Sequence, residues 1–160
     1  MRDALSVGYS MPKKGFRSKE KARLFEACCR EHDLKITPQR VAIFKELVST
    51  YEHPSAVAIY EKVKRLYRNI SLDTVNRTLL TFHKIGLARI VEGSGDPKRF
   101  DGNPEPHHHF RCVTCGKILD VFSNRYREIE IPADLSERCD VLTAVVRFEG
   151  YCDTCKLSPE

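Results

Sequence analysis

"SLDTVNRTLLTFHKIGLARIVEGSGDPKRFDG", residues 71–102, changes its periodicity halfway along, and no other stretch says as much about the fold. Ser71 offers the side-chain oxygen that free N–H groups at a helix start require, and Gly86 offers the backbone freedom that ends a helix. Between them Val75, Thr78, Leu79, Phe82 and Ile85 fall on one side of a helical repeat. Asp73, Asn76, Arg77, Leu80 and Lys84 fall on the other, the pattern of a helix docked on a core with its outer face free. After Gly86, "LARIVE" and "KRFD", joined by "GSGDP", read as a two-stranded hairpin.

Upstream the chain is helical. "SKEKARLFEACCREHDL" predicts a helix from about Ser18. "TPQRVAIFKELVSTY" sets Thr37 as cap and Pro38 at the first helical position, with Val41, Phe44, Leu47 and Val48 as its apolar side. "HPSAVAIYEKVKRLY" repeats the device with Pro54, and Ala56, Ile59, Tyr60, Val63 and Leu66 follow a helical stripe. Such helices plus a hairpin make a winged helix, whose last helix would enter the major groove of DNA. A solvated surface helix has the same two-faced pattern, so periodicity leaves both readings open. Charge alone leaves both open as well, but it shows where a polyanion would sit. Residues 1–92 carry 18 Lys and Arg against 10 Asp and Glu, whereas residues 93–160 carry 9 against 12, so the halves are +8 and −3. A polyanion would bind the first half. Lys13, Lys14, Arg17, Lys19, Lys21 and Arg23 form a basic arm suited to phosphates or an AT-rich minor groove. On the last helix Arg77 is expected to reach a phosphate or a base edge, with Asn76 and Lys84 on the same outer face.

Downstream, "EGSGDPKRFDGNPEP" at 92–106 holds three Gly and three Pro and reads as a turn followed by a hinge. "GKILDVF" and "DVLTAVVRFEGYC" are rich in β-branched and aromatic residues and predict strands, with "HHHFRC" opening the first strand. "NRYREIEIPADLSER" reads as a helix or a partly irregular crossover. The expected class is therefore α+β. The expected units are a basic arm and winged helix at 1–92, its hairpin reaching to about 101, a wing turn and hinge at 93–106, and a second domain at 107–160. A 41% hydrophobic and 31% charged composition fits an ordinary globular protein. "MRDALSVGYSMPKKG" lacks the apolar centre of a signal peptide and no long apolar run occurs, which predicts a cytoplasmic protein with reduced thiols. Seven Cys, an odd number, also argue against a closed disulfide framework.

Those thiols carry a second signal. Cys112 and Cys115 form one C-x-x-C pair, and Cys152 and Cys155 form another. Four such sulfurs give a closed tetrahedral zinc site. The 36 residues between the pairs exceed a usual finger spacing, but each doubling of a loop costs only about 0.6 kcal/mol. A redox pair or inert core cysteines are the alternatives, and neither explains two matched pairs. Cys28, Cys29 and Cys139 are expected to pack as small apolar residues. Beside Cys112 stands "HHHF": if extended, it puts His107 and His109 on one face and His108 on the other. Asp101 just upstream and Asp120 on the following strand could complete a nitrogen and oxygen set suited to Fe(II), Mn(II) or Zn(II), although a solvated turn remains an alternative for a His triplet.

"LKITPQR", "HPSAVAIYEKVK", "LDTVNRTLLTFHKIGLAR", "RFDG", "HHHFRCVTCGKILDV" and "GYCDTC" follow in an order and spacing that resemble the ferric uptake regulator family, over roughly residues 20–156. The resemblance implies a dimeric, metal-responsive repressor with an N-terminal winged helix and a C-terminal α+β dimerisation domain. Its implied partners are a second copy of the chain and double-stranded operator DNA, an AT-rich inverted repeat, with no membrane. It implies structural zinc on Cys112, Cys115, Cys152 and Cys155. It further implies a regulatory metal at the hinge, held by His53 of "HPSA" with Asp101, His107, His109 and Asp120.

Three features depart from the family pattern. Asn76 stands where the recognition helix usually has Tyr, which puts one DNA contact in doubt. An additional metal site of many relatives needs His at positions matching Pro106 and Ala144, so that site is expected to be missing. Asp120 stands where iron-sensing members typically have Glu, and so resembles the peroxide-sensing branch, in which iron-catalysed oxidation modifies ligand histidines that match His53 and His107. Mn(II) would fill the same site without that chemistry. The rival expectations are an iron- or zinc-responsive uptake regulator of the same family and, from another class, a metal-dependent hydrolase. For the hydrolase no separate general base stands out in the sequence.

Overall fold

Helices α1 (Ser18–Glu31), α2 (Pro38–Val48), α3 (Ala56–Val63) and α4 (Leu72–Lys84) precede a hairpin of β1 (Arg89–Val91) and β2 (Arg99–Asp101) in a computed structural model that describes residues 18–91, 97–126, 129–142 and 144–157. Lys13, Lys14 and Arg17 of the basic arm, and most of the wing turn, lie outside the described residues.

Local chemistry starts and stops the helices. Ser71 Oγ accepts from Thr74 N at 3.1 Å and caps α4. Gly86 ends it with φ +79°, a conformation that spares glycine the Cβ clash other residues meet. Thr37 caps α2 and Pro38 opens it. α3 differs from expectation: Ser55 is its cap and Ala56 its first residue, so Pro54 stands outside the helix. There its carbonyl accepts Phe100 N–H at 3.0 Å, which ties the start of α3 to the hairpin. α3 also stops at Val63, leaving Leu66 beyond the helical stripe and 70% exposed.

The buried faces meet in one core. Phe25, Phe44 and Phe82 form a triangle with ring centroids 4.8, 5.8 and 6.0 Å apart, two of the three contacts edge-to-face. Ile43, Leu47, Ile59, Val63, Val75, Leu79 and Phe100 close around it. Phe82 is fully buried at its centre, so Phe82→Ala is expected to cost about 3–5 kcal/mol. Urea denaturation of the zinc-loaded protein checks this, and a loss below about 1 kcal/mol would contradict the packing described.

The second half is a three-stranded sheet of order β4-β3-β5, from β3 (His108–Cys112), β4 (Ile118–Val121) and β5 (Arg147–Gly150). β3 pairs antiparallel with β4 and parallel with β5. A parallel neighbour needs a crossover. It contains one short helix, α5 (Ala133–Ser136), and a 3₁₀ turn at Asn124–Tyr126. Only Arg147–Gly150 of the strand expected over 140–152 pairs with β3. The described residues just before it are not in a strand, and Leu142 is 96% exposed. Among the described residues no strand pairs with those positions, so their β-branched composition finds no ladder. Cys139, expected inside, is exposed; Cys29 is buried, and half-buried Cys28 donates from Sγ to the Ile85 carbonyl at 2.9 Å. No described helix is long and apolar enough to cross a membrane.

Candidate metal centres

Strand pairing sets the histidine site. His109 on β3 lies directly opposite Asp120 on β4, which puts the two side chains on one face of the sheet. His107, two residues before His109, shares that face, with ring centroids 4.6 Å apart. His108 points the other way: its Nε2 donates to Tyr126 O at 2.9 Å and its Nδ1 accepts from Val146 N at 3.3 Å, so it joins the crossover to the run-up of β5. From the helical half come His53, in the loop between α2 and α3, and Asp101, the last residue of β2.

The donor atoms converge. One nitrogen each from His53, His107 and His109 and one Asp120 oxygen all lie within 4.8 Å of one another. His107 Nε2 is 3.0 Å from His109 Nε2, 3.2 Å from Asp101 Oδ2 and 3.5 Å from Asp120 Oδ1, and His53 Nε2 is 2.8 Å from Asp120 Oδ1. Asp101 touches this group at its rim, through His107 and, at 3.9 Å, His109. His107 donates from Nδ1 to the Glu105 carbonyl at 2.6 Å, so its Nε2 keeps a lone pair turned inward. Asp101 is oriented in the same way, its Oδ1 taken by Asn103 N–H at 2.7 Å and its Oδ2 facing the histidines.

This is a poor arrangement for the protein alone. His53, Asp101, His107 and Asp120 are all buried, yet both ring nitrogens of His53 and Oδ2 of Asp101 make no hydrogen bond. Leaving such atoms buried without a partner costs about 1–3 kcal/mol each. Burial lowers His109 to a pKa of about 4, helped by His107 and His53, so it stays neutral. Burial also opposes charge on His107 and Asp120. On His107 it is outweighed by the Asp101 carboxylate and the Glu105 carbonyl, which raise its pKa. On Asp120 it is outweighed by the surrounding histidines, His53 first, which lower its pKa. Inward lone pairs and carboxylate oxygens around one point fit a divalent cation of intermediate hardness.

The cysteine site lies at the other end of β3. Parallel pairing sets Cys112 opposite Gly150, which carries Cys152 to the same strand end. The Sγ atoms of Cys112, Cys115, Cys152 and Cys155 all lie within 4.8 Å of one another, and Cys115 and Cys152 are 3.7 Å apart. That is too long for a disulfide and close to the roughly 3.8 Å between sulfurs sharing tetrahedral zinc at about 2.3 Å. Backbone N–H groups of Cys115 and Cys152 lower the Cys112 pKa to about 6. The neighbouring sulfurs, Cys152 first, push Cys155 up to about 12. Four thiols this close cannot all ionise without a cation, and a dication removes that conflict.

The expected DNA-facing residues are spread over two helices. Lys19 and Arg23 are exposed on α1, but Lys21 is half-buried and donates to the carbonyl of Val48, the last residue of α2. Lys21 therefore joins α1 to α2 instead of extending from the arm. On α4, Arg77 and Lys84 are exposed and Asn76 is half-buried, with Arg77 Nε 3.1 Å from Asp73. Pro106 and Ala144 line one cleft of about 760 Å³, together with His83, His108, Tyr126 and Arg147. The Glu105 carbonyl and Asn103 N–H, which orient two site residues, escape sequence reading because a backbone group has no residue signature.

Comparison with known proteins agrees with this architecture. Residues 31–143 match the model of the Ferric uptake regulator family. Over 130 residues the chain is 35% identical to the Peroxide-responsive repressor PerR of Staphylococcus epidermidis, covering 81% of this chain and 87% of that protein. The fold superposes on the Helicobacter pylori ferric uptake regulator Fur with a TM-score of 0.70 at 21% identity, over 89% of this chain and 95% of that one. The Campylobacter jejuni peroxide stress regulator gives 0.59 at 29% identity, over 81% and 98%. The chain belongs to the ferric uptake regulator family.

Proposed function

We propose that this protein is a metal-dependent DNA-binding repressor that senses peroxide through the metal at its hinge. One observation carries the reading: His53 and Asp101 of the helical half face His107, His109 and Asp120 of the sheet half in one buried cluster of donors. An ion held there favours whichever arrangement of the halves brings all five together, and shifts the equilibrium by its differential affinity. Fe(II) or Mn(II), with Zn(II) as the alternative, is the regulatory ion; zinc on Cys112, Cys115, Cys152 and Cys155 is structural. The units run from 1 to 92 for DNA, the wing reaching to about 101, through the hinge at 93–106, to 107–160 for dimerisation.

The relatives support the signal, since proteins 35% identical to this chain are peroxide-responsive repressors. Asp120 supports it from the site. An iron- or zinc-responsive uptake regulator would use the same fold, and the response to peroxide separates the two. A hydrolase fits less well, because the family is one of regulators. Leu142, Val145 and Tyr151, all exposed on the sheet half, support a second copy as partner.

DNA selected from random sequence by the Mn(II)-loaded protein is expected to contain an AT-rich inverted repeat, matching a two-fold dimer. Retention of that DNA should require the hinge metal, and equal retention in excess chelator that spares the zinc would overturn the proposal. Arg77→Ala is expected to weaken binding by about 1–3 kcal/mol if Arg77 reads a base, or to lower the salt slope by about one if it holds a phosphate. Unchanged affinity across a salt series would remove α4 from the interface.

A further inference from the structure

We infer that Arg99, on β2, is a positioning residue for the hinge metal, acting through the backbone of His53. This rests on the reading of His53 as a ligand. His53 has φ +50°, the left-handed region that residues with a Cβ seldom enter. It also precedes Pro54, whose ring restricts the residue before it further toward extended backbone. A conformation disfavoured twice persists only where its surroundings impose it.

Arg99 is the group that imposes it. Its Nε donates to the carbonyl of His53 and its Nη2 to the carbonyl of Glu52 at 2.8 Å, so one planar guanidinium grips both peptide units before Pro54. The grip has a fixed base, because Arg99 pairs with Ser55 in a β-bridge and Phe100 N–H bonds the Pro54 carbonyl at 3.0 Å. The imidazole of His53 is 2% exposed and meets Asp120 Oδ1 at 2.8 Å through Nε2. The backbone that Arg99 holds places the ring where it can make that contact. Two residues further along the same strand stands Asp101. β2 thus supplies one donor directly and orients a second from behind.

Groups that orient a ligand typically change metal affinity 10–100-fold when removed. Arg99→Ala, in the zinc-loaded protein, is expected to weaken Mn(II) binding by that range in a titration followed by Mn(II) electron paramagnetic resonance. Arg99→Lys keeps the charge but not the two-pronged grip, and should recover only part of the loss. It also carries the comparison if the alanine variant fails to fold. The decisive arm is a double-mutant cycle. With His53→Ala already present, Arg99→Ala should change Mn(II) affinity by less than about twofold. If Arg99→Ala binds Mn(II) like wild type, or costs as much without His53 as with it, the inference fails. If His53→Ala alone leaves Mn(II) affinity unchanged, the ligand assignment fails instead, and with it the basis of this inference.

Discussion

Cys112→Ser and Cys152→Ser are each expected to release about one zinc ion per subunit and to unfold the C-terminal half, with loss of the dimer. The effect should be large because little else holds that half together. Beyond Asp101 the buried apolar side chains among the described residues are Cys112, Ile118 and Cys152. Three strands of four or five residues over so small a core need a staple. Structural zinc in small peptides supplies about 10–16 kcal/mol, more than the whole stability of many domains. Metal content by atomic emission and mass by light scattering read the outcome. A variant that keeps full zinc and stays dimeric would show that the four sulfurs do not share one ion.

What the sequence reveals about this fold is what local chemistry decides. Ser71, Gly86, Thr37 and Pro38 act on backbone groups within four residues, so the start of α2 and both ends of α4 can be read directly. Pro54 misleads because Ser55 competes with it for the start of α3, and the tertiary bond from Phe100 settles that competition. Leu66, Lys21 and residues 140–142 and 144–146 mislead for a related reason: where each ends up depends on what packs beside it. The two cysteine pairs announce a metal because one spacing occurs twice. His107 and His109 can be paired from strand alternation, with Asp101 just upstream and Asp120 on the next strand as neighbours, and the shared face of His107 and His109 and the register of His109 with Asp120 match that reading. His53 lies in a distant loop with no pattern around it, and only family resemblance suggests its role.

Peroxide is the second large effect. The Fe(II)-loaded protein, exposed to low peroxide, should lose its DNA and gain one oxygen atom on the peptides carrying His53 or His107. One peroxide oxygen enters an imidazole C–H and the other leaves as water. An oxidised ring is a weaker ligand, and the two halves then lose a shared donor. His107 is well placed for this loss to matter, since its Nε2 lies within 3.5 Å of His109, Asp101 and Asp120 alike. The Mn(II)-loaded protein should keep both its DNA and its mass. Equal resistance of the two forms would make the metal itself the signal.

If the hinge ion and DNA act on one equilibrium, their effects on each other must be equal. The most direct measurement is therefore the Mn(II) affinity of the zinc-loaded protein with and without saturating selected DNA, set beside its DNA affinity with and without saturating Mn(II). The two ratios should agree and fall in the range of about 5–150-fold. A Mn(II) affinity indifferent to DNA would contradict coupling through the hinge, however tightly either partner binds.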